Sequence, residues 1–140
     1  MAFNPLARER SVTVETDLEP GLTAAIDSLA LRQIVLNFLE NAVKYGPVGQ
    51  TVRVSAHGVD QRARIAVEDR APGVPLSERE SVWQPFLRGA AASANTTGSG
   101  IGLAVVRDLV FQHGGRYTVE DGVGGAGARF VVEFPRFARP

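Results

Sequence analysis

The spacing of hydrophobic positions along this 140-residue chain changes several times, and each spacing predicts one kind of element. Residues 29–46 carry apolar side chains at helical spacing and therefore predict an amphipathic helix that buries one side. The face expected to be buried consists of Leu31, Ile34, Val35, Phe38, Leu39 and Ala42. Asp27 or Ser28 is a suitable N-cap for this helix, and Gly46 followed by Pro47 ends it.

Alternation with a period of two predicts strands on both sides of that helix. The expected strands are residues 11–18, 51–57, 62–68, 116–120 and 128–134, with a further short strand at 22–26. Residues 58–60 predict a hairpin turn, and residues 77–83 predict a short helix. A second amphipathic helix is expected to follow residues 98–102 and to end near Gln112. This order predicts an α/β (α+β) two-layer sandwich, in which a mixed β-sheet of about five strands packs against about three helices.

The bulk composition narrows the class of protein. The chain is 44% apolar and 21% charged, as expected for one soluble domain. A formal net charge of zero gives no general attraction to nucleic acid or to an anionic membrane surface. The chain has no cysteine, which excludes disulfides, a thiolate nucleophile and a Cys-ligated zinc site. Residues 1–10 show no period and are interpreted as a linker or a cloning remnant, so the domain is expected at residues 11–140.

The polar side of the first helix is the first candidate site. Gln33, Asn37, Asn41 and Lys44 follow at spacings of four, four and three residues and therefore share one narrow face. Amide oxygens suit a hard cation that keeps several waters, and a lysine one turn further suits a phosphate. For the helix taken alone, a polar face that simply meets solvent is an equally good interpretation.

Two further stretches carry candidate chemistry. Glycines at positions 98, 100 and 102 precede the second helix, where backbone N–H groups can surround an anion. Their spacing is neither that of a P-loop nor that of a Rossmann fingerprint, and a flexible turn is the alternative. Asp69 follows a strand, where its carboxylate can accept a hydrogen bond from an exocyclic amine such as that of adenine. An aspartate in this position is also a common turn former.

Taken in order, these motifs resemble the catalytic and ATP-binding domain of sensor histidine kinases. This is a branch of the Bergerat-fold ATPases, which include gyrase, Hsp90 and MutL. NFLENAVKY is similar to the N box, residues 69–73 to the G1 box, WQPFLRG to the F box and TTGSGIGLAVVRDLV to the G2 box. The small residues before the G2 box are similar to the ATP lid and are expected to be mobile. The resemblance covers about residues 11–135 and implies ATP and Mg²⁺ as cofactors.

The resemblance also implies roles for individual residues. Asn41 would bind Mg²⁺ with the help of Asn37, while Asp69 would recognise the adenine amine. The residues implied in catalysis are Asn37, Asn41, Lys44 and Arg88, the last approaching the γ-phosphate. The residues implied in nucleotide binding are Asn41, Lys44, Tyr45, Asp69, Gly73, Val74, Thr97, Gly98, Ser99, Gly100, Ile101, Gly102 and Leu103.

Two positions depart from the family pattern. Ala71 stands where the G1 box usually has its first glycine, and Ala128 stands where a threonine usually helps to read adenine. If position 71 needs a positive φ or a close approach to the base, a Cβ there costs about 1 kcal/mol or more. Both departures bear on nucleotide affinity and leave the fold prediction unchanged.

Asn37 also bears on the type of reaction. Hydrolytic relatives and anti-sigma-factor serine kinases place a glutamate at this position, whereas an amide cannot act as a base. The sequence therefore favours phosphoryl transfer by positioning and electrostatics. Neither His57 nor His113 has the neighbours of a phosphoacceptor, and His113 is expected to help end a helix.

The acceptor is accordingly expected on histidine-bearing dimerisation helices of the parent kinase, from which a response regulator would take the phosphoryl group. The parent is expected to be a membrane-bound sensor with this domain at its cytoplasmic end. No nucleic acid and no direct membrane contact are expected. Two alternatives remain open. One is a degenerate docking module without kinase activity, suggested by Ala71 and Ala128, and the other is an anti-sigma-type serine kinase or ATPase of the same fold.

Overall fold

The structure is a computed structural model that describes residues 10–84, 102–122, 125 and 127–136. Within these ranges the α-helices are α1, Ser28–Tyr45, and α2, Gly102–Gln112, and two 3₁₀ helices lie at Leu76–Glu78 and Ser81–Trp83. The strands are β1 Thr13–Leu18, β2 Thr51–Val59, β3 Arg62–Glu68, β4 Arg116–Asp121 and β5 Ala128–Pro135. The helices and strands follow the predicted order except at residues 22–26 and 77–83.

The five strands form one mixed sheet in the order β1-β2-β3-β5-β4. β1 runs parallel to β2, because the connection between them passes through α1, and the other neighbouring pairs are antiparallel. In the centre of the sheet, Val67 of β3 lies opposite Phe130 of β5. The predicted two-layer sandwich with a mixed sheet is confirmed.

The core lies between one face of the sheet and the apolar sides of the helices. Ile34, Phe38, Leu39 and Ala42 of α1 are buried, while Leu31 and Val35 are partly buried against the same cluster. Phe38 contacts Trp83 edge-on, with ring centroids 6.2 Å apart, and contacts Phe130 at 5.6 Å. The predicted apolar face of α1 is therefore the face that packs on the sheet.

Both predicted ends of α1 are confirmed. Asp27 is the N-cap, and its carboxylate accepts a hydrogen bond from the backbone N–H of Ala30 at 3.1 Å. Gly46 is the C-cap and donates its N–H to the carbonyl oxygen of Ala42 at 2.9 Å. These ends fix where the polar residues of α1 lie along the sheet.

The prediction of a strand at residues 22–26 is wrong. The backbone N–H of Ala25 donates to the carbonyl of Pro135 at 2.7 Å, but the N–H of Ile26 turns back to Ala24 at 2.9 Å. The segment therefore does not continue as a ladder. Its apolar side chains, including Leu22 and Ile26, pack against the core from an irregular segment, so the alternation here marks packing positions and not a strand.

Two other boundaries also differ from the prediction. β2 and β3 extend to the pair Val59 and Arg62, so the hairpin loop is Asp60-Gln61 and not residues 58–60. Asp60 has a φ of 55°, a conformation that aspartate tolerates better than most residues. The single short helix expected at residues 77–83 is two 3₁₀ helices, because the segment is too short for a stable α-helical nucleus. In the part of the chain that the structure describes, no helix is long and apolar enough to cross a membrane.

Replacing Phe38 with alanine tests the position of the core. Phe38 has no exposed surface and contacts two aromatic rings, so Phe38→Ala is expected to lower the free energy of unfolding by about 3–5 kcal/mol. Phe111→Ala is the matched control, since Phe111 is 83% exposed and its loss should change stability by less than about 0.5 kcal/mol. Urea denaturation followed by Trp83 fluorescence measures both, and equal losses would contradict this core.

Candidate functional site

Asn37 joins the polar stripe of α1 to the beginning of α2. Its side-chain Nδ2 donates to the carbonyl oxygen of Gly102 at 3.1 Å. Its Oδ1 accepts a hydrogen bond from Nε2 of Gln33 at 2.9 Å, which fixes the orientation of the amide. Asn37 therefore contacts the first residue of α2, so this member of the stripe does more than meet solvent.

Asn41 lies one helical turn after Asn37 on the same face, and Lys44 lies in the last turn of α1. Asn41, Lys44 and Tyr45 are all half-buried. An amide oxygen has two lone pairs, so Asn37 can keep its bond to Gln33 and still contact a cation. The donor set along this face, two amide oxygens and one ammonium, fits a hydrated hard cation beside phosphate groups. The individual metal and nucleotide contacts stay predictions.

Asp69 forms a second, buried corner at the end of β3. Only 2% of its surface is exposed, and its Oδ1 accepts hydrogen bonds from the backbone N–H groups of Ala71 at 3.0 Å and Ala128 at 3.2 Å. Its own backbone N–H donates to the carbonyl of Ala128 at 2.9 Å. The carboxylate is thus held in place by the turn that follows β3 and by the first residue of β5.

The surroundings of Asp69 change its acidity. Burial raises the pKa of its carboxyl to about 6, against the opposing effect of the hydrogen bonds from Ala71 and Ala128, and the nearby charge of Glu68 raises it slightly further. At neutral pH the group is still mostly ionised. It therefore offers a buried anionic acceptor, which is the chemistry expected for recognition of an exocyclic amine.

Two glycines shape this corner. Gly127 has a φ of +74°, and a Cβ there would collide with the backbone carbonyl of Asp69. A Cβ on Gly73 would lie 3.1 Å from the carbonyl oxygen of Gly127. The turn after β3 and the start of β5 therefore meet backbone to backbone beside Asp69, an approach that a side chain at either glycine would obstruct. The sequence analysis singled out Gly73 but missed Gly127, whose only signal was its place in a glycine-rich turn.

The two departures from the family pattern lie next to Asp69. Among the described non-glycine residues only Ser11 and Asp60 have a positive φ, so Ala71 is not in the left-handed region and the φ strain considered above is absent. Its methyl group is buried. Ala128 contributes its backbone N–H and carbonyl, which do not depend on the side chain. The effect of the two alanines on nucleotide affinity stays a prediction.

Gln50 connects the two halves of the site, and the sequence analysis missed it. Its side chain is 4% exposed, its Nε2 donates to the carbonyl of Ala42 at 2.7 Å, and its Oε1 accepts the N–H of Arg70 at 2.9 Å. Ala42 follows Asn41 and Arg70 follows Asp69 along the chain. The side chain of Gln50 therefore joins the last turns of α1 to the turn that follows Asp69.

Arg79 fixes the loop that carries Val74, and this residue was also missed. Its Nε donates to the carbonyl of Val74 at 2.8 Å, and its guanidinium contacts the carboxylate of Asp121 at 2.6 Å. Val74 itself packs partly against the core. No local motif pointed to Arg79, because its partners lie five residues away on the loop and 42 residues away at the end of β4.

Several predicted site residues lie outside the described residues, namely Arg88, Thr97, Gly98, Ser99, Gly100 and Ile101, together with the run of small residues that precedes them. Gly102 and Leu103 are described and form the first turn of α2, where Leu103 packs against the core. The structure thus contains the helix that follows the predicted phosphate-binding loop, and its first carbonyl is held by Asn37.

Each of the two histidines of the chain contacts one oxygen atom of a neighbouring residue in the fold. Nε2 of His57 lies 3.2 Å from Oδ2 of Asp17 on the neighbouring strand. Nδ1 of His113 lies 2.8 Å from the carbonyl oxygen of Leu109, in the last turn of α2. The latter contact is the helix-ending interaction that was expected for His113.

Comparison with known protein families identifies the family to which this chain belongs. The sequence profile of the histidine kinase-, DNA gyrase B- and HSP90-like ATPases matches residues 26–138. The chain belongs to this family of ATPases. The matched range contains α1, Asp69, α2 and β5. The family assignment therefore rests on the same elements that form the candidate site.

Sensor histidine kinases are among the proteins that this chain is similar to. The chain is 40% identical over 133 residues to the signal transduction histidine-protein kinase/phosphatase MprB of Mycobacterium sp. (strain KMS), covering 91% of this chain and 26% of that protein. It is 35% identical over 136 residues to the sensor histidine kinase TmoS of Ectopseudomonas mendocina, covering 95% of this chain and 14% of that protein. The chain therefore spans about a quarter or less of the length of these relatives.

Solved structures give the same result. A structure of the mycobacterial sensor histidine kinase MprB superposes with a TM-score of 0.84 at 33% identity, covering 96% of this chain and 90% of that one. Full-length ShkA in complex with AMPPNP superposes with a TM-score of 0.78 at 35% identity, covering 97% of this chain and 28% of that one. The resemblance to histidine-kinase catalytic domains and the Bergerat-type fold are confirmed.

Replacing Asp69 with asparagine tests the buried carboxylate. The unfolded chain titrates this group near 3.8 and the folded chain near 6, so the folded state loses stability as pH rises through this interval. Asparagine keeps the oxygen that accepts the two backbone N–H groups but carries no charge. Asp69→Asn is therefore expected to be more stable than the native chain at pH 8, by up to about 3 kcal/mol, and to lose this advantage by pH 4.

Thermal denaturation at pH 4, 6 and 8 measures this difference. Asp108→Asn is the control, because it makes the same substitution at an exposed position on α2. A less stable Asp69→Asn variant at pH 8 would show that the ionised carboxylate is not a buried, unfavourable charge.

Proposed function

We propose that this domain binds ATP together with Mg²⁺ and donates the γ-phosphoryl group to a histidine on separate dimerisation helices of a parent sensor kinase. The observation that carries the proposal is the Asn37–Gly102 hydrogen bond, since it aims the amide stripe of α1 at the start of α2. Gln50 links the backbone of α1 at Ala42 to the turn that follows Asp69. One site thus offers an amine acceptor at one end and hard-cation ligands at the other.

At the adenine end, the Asp69 carboxylate accepts a hydrogen bond from the exocyclic amine of the base. Oδ1 is held by two backbone N–H groups, so the carboxylate is oriented before a ligand arrives. Gly127 and Gly73 allow the turn after β3 and the start of β5 to meet closely around this carboxylate. Val74, held by Arg79, closes this side of the site.

At the phosphate end, Asn41 and Asn37 hold the cation through their amide oxygens, and Lys44 and Tyr45 contact the nucleotide. Bound Mg²⁺–ATP supplies the transferable phosphoryl group and a cation that neutralises its developing charge. Gly102 and Leu103 position the beginning of α2, whose dipole favours an anion at this end. Arg88 and the loop residues Thr97, Gly98, Ser99, Gly100 and Ile101 complete the phosphate contacts in this proposal, on the resemblance alone.

The reaction follows from the residues that face the phosphates. Asn37 occupies the position from which a glutamate would activate a nucleophile, and an amide cannot remove a proton. The domain therefore acts by positioning and charge neutralisation, and the acceptor comes from outside this chain. Its relatives are named as sensor histidine kinases, and it spans about a quarter or less of their length. Transfer onward to a response regulator and a place at the cytoplasmic end of a membrane-bound sensor belong to the same proposal.

The alternative of a degenerate docking module rests on Ala71 and Ala128. Ala71 carries no φ strain, and Ala128 holds Asp69 through its backbone, so neither alanine gives a structural reason for a defective site. The alternative of a serine kinase or hydrolase is disfavoured by Asn37, which lacks a basic group. Phosphoryl transfer to histidine remains the function that the site supports best.

Titration calorimetry of the Asn41→Ala variant tests the proposal. The native domain is expected to bind a non-hydrolysable ATP analogue with Mg²⁺ at micromolar to sub-millimolar Kd, about 5–8 kcal/mol, and more weakly with EDTA. Asn41→Ala should lose the Mg²⁺-dependent part with an unchanged circular dichroism spectrum. Glu40→Ala is the control, since its side chain leaves the helix beside the stripe.

Either of two results would contradict the assignment. Unchanged Mg²⁺-dependent binding in Asn41→Ala would remove Asn41 from the site. Binding of the analogue by the native domain without transfer of phosphate from ATP to the parent's dimerisation helices would favour the docking module.

A further inference from the structure

We propose that Gln50 is a positioning residue that sets the separation between the adenine end and the phosphate end of the nucleotide site. The proposal rests on the proposed function and adds a residue that lies outside the four motifs of the resemblance. Gln50 sits between the end of α1 and the start of β2, and only 4% of its surface is exposed.

Both ends of the Gln50 amide are used, and they reach the two halves of the site. Nε2 donates to Ala42 O at 2.7 Å, and Oε1 accepts from Arg70 N at 2.9 Å. Ala42 is the residue after Asn41, and Arg70 is the residue after Asp69. One rigid, planar amide therefore spans from the backbone beside the cation ligand to the backbone beside the amine acceptor.

The backbone of Gln50 is itself anchored in the sheet. Its carbonyl oxygen accepts the N–H of Thr13 at 3.0 Å. Gln50 directly precedes Thr51, which pairs with Thr13 at the start of β1 and β2. The side chain thus extends from a fixed base. Since a buried amide with two satisfied ends has little rotational freedom, the gap between α1 and the turn after β3 is set by the length of this group.

Gly46 makes the space that Gln50 occupies. A Cβ on Gly46 would collide with the side-chain amide of Gln50. Its φ of −89° can be adopted by any residue. Glycine is therefore needed here to leave space for the Gln50 side chain and not for its backbone conformation. Gly46 and Gln50 therefore act as a pair, in which the glycine at the end of α1 admits the glutamine that holds α1 to the turn.

Loss of this bridge should affect ligands that span the site more than ligands that occupy one end. Mg²⁺–ATP contacts both halves, so its affinity depends on their separation. Adenosine reaches the Asp69 corner alone and is insensitive to where α1 lies. A general disturbance of the adenine corner would instead weaken both ligands equally, and this difference separates positioning from a merely structural role.

The Gln50→Met variant makes the test, because methionine has a similar length and apolar volume but cannot make either hydrogen bond. Binding of a non-hydrolysable ATP analogue with Mg²⁺ is measured by calorimetry, and binding of adenosine by NMR titration. We expect the analogue to bind about 10-fold to 100-fold more weakly and adenosine to change by less than about 3-fold. Gln61→Ala is the matched control, since that glutamine is exposed in the hairpin loop and should leave both affinities unchanged.

The outcomes separate the two proposals. Native-like binding of the analogue by Gln50→Met, or an equal loss for both ligands, would overturn the role of Gln50 and leave ATP binding intact. Failure of the native domain to bind the analogue would overturn the proposed function, and the role of Gln50 would fall with it. Thermal denaturation of Gln50→Met identifies a temperature at which the variant is folded, and both titrations are made there.

Discussion

The burial of one ionisable carboxylate, that of Asp69, constrains the whole region around the site. A charge with 2% exposure is tolerated only because backbone N–H groups of Ala71 and Ala128 point at its oxygen. Those amides require the turn after β3 and the start of β5 to meet closely, and Gly127 makes this approach possible. The raised pKa of the Asp69 carboxyl is the remaining cost of that burial.

Helix α1 serves the core and the site with opposite faces. Phe38 and its apolar neighbours fix the helix on the sheet, and this packing determines which way the amides point. Asn37 links α1 to α2 through its hydrogen bond to the carbonyl oxygen of Gly102. The amide face of α1 thus belongs to a helix whose placement is decided mainly by hydrophobic burial, and the polar contacts refine it.

The sequence predicted the parts of the structure that depend on neighbours along the chain. The strands and α1 follow from local periodicity, and residue type and position predicted the ends of α1 at Asp27 or Ser28 and at Gly46. The strand expected at residues 22–26 failed because an irregular segment that covers a core edge can alternate as a strand does. The motifs in α1, at Asp69 and before α2 sufficed to indicate the family that the profile match establishes.

The sequence alone therefore determined the order of elements, the family and the residue types of the site. Only the tertiary structure decided how those residues are held, because the contacts join positions far apart in the chain. Asn37 and Gly102 are 65 residues apart, Asp69 and Ala128 are 59 apart, and Gln50 reaches Arg70 across 20. No local pattern encodes such pairs, since a side chain's partner depends on how the elements pack and its pKa depends on the burial that results.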